Sequence, residues 1–114
     1  MVTPTTGEVV LVPFPFSDVQ HSKVRPAVCL AAASRGDWVL CQITSNPYGD
    51  PAAVPLDAPD FASGGLLVAS VARPGKLFTA HAGLMIRSVG VLTPAAFARV
   101  LSAVLAILQP APSP

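Results

Sequence analysis

Arg25 and the run Thr44-Ser45-Asn46 combine the residue types in this chain best suited to chemistry. Arg25 carries a permanently charged, fork-shaped guanidinium with five donors. It follows a polar loop holding Asp18, Gln20, His21, Ser22 and Lys23, and it opens the run Arg25-Pro26-Ala27-Val28-Cys29-Leu30, which reads as a strand. Thr44-Ser45-Asn46 closes a second strand-like run that begins at Trp38, and Ser34-Arg35-Gly36-Asp37 between the two reads as a turn. Strands joined by so short a link pair antiparallel, which brings Arg25 and Thr44 to one end of the hairpin. A guanidinium beside a hydroxyl cluster suits a phosphodiester, because both can stabilise charge on phosphate oxygens. The plainer alternative is that Arg25 makes a surface ion pair and Thr44-Ser45-Asn46 is only a turn.

Other chemistries lack their residues. The sequence has no Cys-x-x-Cys or His-Glu-x-x-His spacing, no Gly-x-x-x-x-Gly-Lys loop and no nucleophile elbow. His21 and His81 stand alone, so neither a metal nor another cofactor is expected. Cys29 and Cys41 lie in apolar runs and read as small buried hydrophobes, with a redox pair as the alternative.

The elements that must hold these residues are mostly strands. Val9-Val10-Leu11-Val12 is a buried run that Pro13 should stop, because proline cannot donate to a ladder. Further strands are expected at Ala53–Leu56, Leu66–Ala72 and Ser88–Leu92, with Lys76–Thr79 a strand or a single turn and Asp57–Gly65 as loop. Thr93 can cap a helix, Pro94 fits its first position, and Phe97, Val100, Leu101, Val104, Leu105 and Leu108 recur at helical spacing. The expected fold is mainly β with a C-terminal helix: a small barrel or sandwich of about six to seven short strands. Residues 1–108 are expected to form one domain, and the proline-rich residues 109–114 a disordered tail.

Composition adds to this. The 114 residues are 52% hydrophobic and only 11% charged, with 13 prolines. So little charge leaves apolar surface for another subunit or partner to cover. All six acids lie in residues 1–60, whereas residues 61–114 hold Arg73, Lys76, Arg87 and Arg99 and no acid, which permits a basic patch. Phe97 to Leu108 is too short to span a bilayer, and Met1 to Thr6 does not resemble a secretory signal, so a cytoplasmic protein with no membrane partner is expected.

Gly7 to Asp18, Lys23-Val24-Arg25-Pro26-Ala27-Val28, Ile43-Thr44-Ser45, Gly65-Leu66-Leu67, Ser70 to Thr79, and Val89-Gly90-Val91-Leu92 with the terminal helix follow one another in an order and spacing that resembles the MazF/PemK-like toxins of bacterial type II toxin–antitoxin systems. The resemblance runs from Gly7 to Leu108. It implies an SH3-like barrel, a homodimer and a metal-independent, sequence-specific endoribonuclease that cleaves single-stranded mRNA and is neutralised by a cognate antitoxin. It also implies that Arg25 and Thr44 form the catalytic pair, with Ser45 able to substitute for Thr44. In such a reaction the ribose 2′-hydroxyl attacks the adjacent phosphorus. Arginine is a poor base, so His21, ahead of Arg25, is the candidate to take the 2′ proton, with His81 as a second candidate. Phe16 and Tyr48 can stack on bases, and Lys23, Arg73 and Lys76 can contact phosphates, with Asn46 and Ser70 completing the RNA-binding set. His81 and Ala82 stand where many relatives carry an acid, and Ala69 where proline is common. Two alternatives remain: a toxin of the same fold that binds DNA gyrase, and an inactive barrel that binds only nucleic acid or an antitoxin. The gyrase-binding kind relies on an aromatic at the end of the last helix, whereas this helix ends Leu108-Gln109-Pro110.

Overall fold

The structure is a computed structural model and describes residues 2–14 and 23–109. The strands are β1 (Glu8–Phe14), β2 (Lys23–Ala32), β3 (Asp37–Thr44), β4 (Val54–Leu56), β5 (Phe61–Gly64), β6 (Ser70–His81) and β7 (Arg87–Leu92), followed by helix α1 (Pro94–Leu108). They form one curled antiparallel half-barrel in the order β4-β6-β3-β2-β1-β7-β5. Two short 3₁₀ turns, Ala58–Asp60 and Ala82–Leu84, precede β5 and β7. No helix among the described residues is long and apolar enough to cross a membrane.

Both faces of the sheet are apolar, because strand side chains alternate and each face has its own cover. On one face Val9, Val28, Cys41, Ile43 and Ala72 pack against Ala96, Val100 and Val104 of α1. On the other, Val10, Val12, Ala27, Cys29 and Leu40 gather around Phe14 and Phe78, whose rings meet edge to face at 4.5 Å, with Val2 and Trp38 at the margin. Each fully buried Val or Leu contributes about 1.5–3 kcal/mol, whereas a surface ion pair contributes about 0–1 kcal/mol. The two cores therefore dominate over contacts such as Arg99 Nη2 to Asp60 Oδ1 at 2.6 Å.

The helix forms where expected. The Thr93 hydroxyl accepts from the Ala96 N–H at 3.1 Å and Pro94 takes the first position. Its buried line is Ala96, Val100 and Val104, while Leu105, Ile107 and Leu108 remain 43–60% exposed. Within this chain, one side of the helix is covered.

Three expectations are corrected. Pro13 does not stop β1. Leu11 O accepts from Ile86 N–H, so Pro13, two residues on, turns its missing donor to the same side, where the β1–β7 pairing has already ended at Leu11↔Arg87. Leu66–Ala69 is not strand; Asp57–Gly65, expected to be loop, instead supplies β5, which pairs with β7. There Gly64, at φ 66°, and Gly90 pack so closely that a Cβ on Gly64 would stand 2.1 Å from Val89 O. The Gly64-Gly65 pair that reads as a loop in sequence is a close backbone crossing. Finally, Lys76–Thr79 is no separate strand, because β6 runs unbroken from Ser70 through Pro74 and Gly75 to His81.

Candidate active site

Pro26 determines where β2 and β3 part. Val10 and Val12 pair with Ala27 and Arg25, which leaves Pro26 and Val28 facing β3. Val28 pairs with Cys41, but Pro26 has no N–H for the next rung, and the β2–β3 ladder ends at Ala27↔Gln42. Arg25 and Thr44 each lie two residues beyond that last rung, on the face that Ala27 and Gln42 share. Lys23 and Arg25, two residues apart, share this face. Arg25 is half-buried and Lys23 exposed.

The β6 neighbour opens at the same place. Cys41 pairs with Leu77 but Ile43 with Ala72, so Arg73, Pro74, Gly75 and Lys76 stand against Gln42 alone. A bulge of this size bends the strand away and re-aims its side chains. Arg73 O accepts from the Cys41 thiol at 3.2 Å, which pins one side of the bulge.

The segment after Thr44 is held by a chain of local bonds. Thr44 is 3% exposed, and its Oγ1 accepts from Asn46 N–H at 3.1 Å. Asn46 Oδ1 accepts from Tyr48 N–H at 3.0 Å, and Tyr48 adopts φ 54°. Asp50 Oδ1 accepts from Ala52 N–H at 2.9 Å, and its Oδ2 accepts from Arg73 Nε at 3.1 Å. Arg73 also lies 5.2 Å over the Tyr48 ring. The Ala52 N–H and the Arg73 guanidinium together hold the Asp50 carboxyl below its ordinary range. Ser45 and Asn46 themselves are exposed.

The other candidates fall in different places. Lys76 is exposed in the bulge against Gln42. Arg73, expected to contact phosphate, ties the Tyr48–Asp50 loop to β6. Ser70 shares the face of Leu56 and Ala72, the reverse of Thr44's face, and donates to Val68 O at 3.0 Å while only 7% exposed. His81 pairs with Asp37 at the far end of β3, about 23 Å of strand from Thr44 at roughly 3.3 Å per residue. There its Nδ1 accepts from Gly83 N–H at 2.8 Å and caps the following turn. Phe16 and His21 lie outside the described residues.

Cys29 and Cys41 are free, buried and on opposite faces, one in each core. Burial pushes both thiols up to about 12, with the Glu8 charge adding to the effect at Cys29.

One residue of this end escapes sequence reasoning. Gln42 is 8% exposed, and its Oε1 has no hydrogen-bond partner among the described residues. Its signal was a lone polar amide between Cys41 and Ile43 in an otherwise apolar strand.

A sequence-family model described as PemK-like, MazF-like toxin of type II toxin-antitoxin system matches residues 5–108. A search of curated protein sequences finds no match. Among solved structures, MazF of Deinococcus radiodurans superposes with a TM-score of 0.74 at 22% identity, covering 95% of this chain and 98% of that one. An endoribonuclease from Mycobacterial species, in complex with its cognate antitoxin, gives 0.68 at 19% identity, covering 98% and 100%. The Mycobacterium tuberculosis toxin MazF-mt6 gives 0.66 at 20%, covering 85% and 91%. The structural likeness establishes a shared fold, and because the family model spans nearly the whole described chain, this protein belongs to the PemK-like, MazF-like toxins of type II toxin–antitoxin systems.

Proposed function

We propose that the chain is the RNA-cleaving toxin of its pair, a metal-independent endoribonuclease acting on single-stranded mRNA. The observation that supports this reading is the end of the β2–β3 ladder at Ala27↔Gln42, two residues short of both Arg25 and Thr44. Structural neighbours described as endoribonucleases support it.

In the proposed reaction the ribose 2′-oxygen forms a bond to the adjacent phosphorus and the bond to the 5′-oxygen breaks. The products are a 2′,3′-cyclic phosphate and a 5′-hydroxyl, and the proton lost from the 2′ position is balanced by one gained at the leaving oxygen. Negative charge grows on the non-bridging oxygens. The Arg25 guanidinium, always charged, stabilises it through paired donors. The Thr44 oxygen already accepts from Asn46 N–H, so the hydroxyl's own proton is left to donate, and exposed Ser45 supplies a second hydroxyl beside it. His21 is the base that takes the 2′ proton. Lys23, Lys76 and Asn46 contact the strand on either side, with Phe16 under a base.

The toxin works in the cytoplasm as a homodimer and is silenced by a cognate antitoxin, as supported by the MazE–MazF complexes among the neighbours. The exposed Leu105, Ile107 and Leu108 of α1, with Leu67 and Val68, are the apolar surface such partners would cover. The test is incubation of the purified protein with mixed-sequence single-stranded RNA in EDTA. Discrete cuts are expected, and RNA that stays intact overturns the reading.

A further inference from the structure

Gln42 occupies the point where the sheet splits on both sides. Towards β2 it is the last ladder residue, opposite Ala27, and towards β6 it alone faces the four-residue bulge. Its side chain shares a face with Thr44, two residues along its own strand, and with Arg25, placed diagonally two residues past its ladder partner Ala27. Diagonal pairs of this kind lie within reach of long side chains. The amide is more than nine-tenths buried, yet Oε1 accepts no bond among the described residues. Buried acceptors are nearly always satisfied, and one left open calls for an explanation, a catalytic role among them. Oε1 is shut off from bulk solvent, which favours a donor supplied by the protein. Neither ion pair among the described residues engages Arg25, whose guanidinium carries five donors.

We propose that Gln42 is a positioning residue for Arg25: its Oε1 receives one guanidinium N–H when a phosphate draws Arg25 inward, which turns the remaining donors onto the non-bridging oxygens. Gln42 itself touches no substrate. The inference rests on the ribonuclease reading for its consequence but not for its geometry.

The experiment therefore has two arms. Gln42→Met keeps the side chain's length and removes the acceptor, and Gln42→Glu keeps the acceptor. In single-turnover cleavage of one RNA oligonucleotide, Gln42→Met lowers the rate at saturating protein about tenfold while RNA affinity and melting temperature hold, and Gln42→Glu restores most of it. In an Arg25→Lys background, which keeps the charge but loses the fork, Gln42→Met costs nothing further. An equal loss in both backgrounds, or no loss in either, overturns the proposal. The second arm needs no cleavage. With ¹⁵N-labelled arginine and inorganic phosphate, the Arg25 Nη signals show hindered rotation in the parent protein and free rotation in Gln42→Met. Free rotation in both overturns the proposal even if RNA is cut, and hindered rotation that depends on Gln42 upholds the contact even if RNA is not.

Discussion

Arg73 Nε and Asp50 Oδ2 meet at 3.1 Å, joining the bulge of β6 to the loop that follows Thr44. The pair spans 23 positions of sequence, and it makes Arg73 part of the frame that holds Tyr48 and Asn46 in place. The Asp50 carboxyl is lowered from its ordinary 3.8, by the Ala52 N–H first and the Arg73 side chain second. A carboxyl lowered on folding stabilises the structure above its unfolded value, and the contribution is lost as pH falls through the folded value. The loop should therefore keep one conformation from pH 7 down to about 4 and loosen only below that. Amide chemical shifts of Tyr48 and Ala52 followed over this range check it. Loosening near pH 6 would contradict the pairing, and Asp50→Asn should remove the acid transition.

Thr44 makes a separable prediction. Thr44→Val preserves shape but takes the acceptor from Asn46 N–H in a position only 3% exposed. Stability should fall by about 1–2 kcal/mol in urea unfolding. Cleavage should fall further than that loss explains, whereas Thr44→Ser should keep most of both.

The thiols give a third test. Cys29 and Cys41 are each pushed up to about 12 by burial, so at neutral pH both are inert to alkylation until the chain unfolds. Raised thiols are also a stability statement. The unfolded chain ionises near pH 9 while the folded one does not, so stability is full below about 9 and falls as pH rises from there towards 12. A double Cys→Ala variant should show a shallower alkaline decline in melting temperature. Because the two face opposite cores, mild oxidation should form no internal disulfide.

What could be read from the sequence follows from how local each feature is. The β2–β3 hairpin, which runs Arg25 and Thr44 towards one end of the sheet, depends on one short turn and was legible there. So was the cap of α1, where Thr93 and Pro94 act within a single turn. The Arg73–Asp50 pair was not legible, because it needs the β6 bulge to form first. Ser70 depends on strand parity: one residue decides whether it faces Thr44 or the core under α1, and the pairing Leu56↔Ser70 decides for the core. β5 was hidden because glycines that signal a loop in isolation here permit a tight crossing against Gly90. The open acceptor of Gln42 could only be seen once its neighbours were in place.

The central claim is that RNA is cut at the open end of the β2–β3 ladder by Arg25 acting with Thr44 and Ser45. The measurement that addresses it most directly compares the parent protein with Arg25→Ala on one long single-stranded RNA in EDTA, with the chemistry of both new ends identified. Loss of the Arg25 guanidinium should slow cleavage by at least about 100-fold. The fold should survive, since Arg25 is only half-buried. The parent's fragments should carry a 2′,3′-cyclic phosphate and a 5′-hydroxyl. An Arg25→Ala protein that cuts as fast as its parent, or parent fragments that end in a 5′-phosphate, would contradict it.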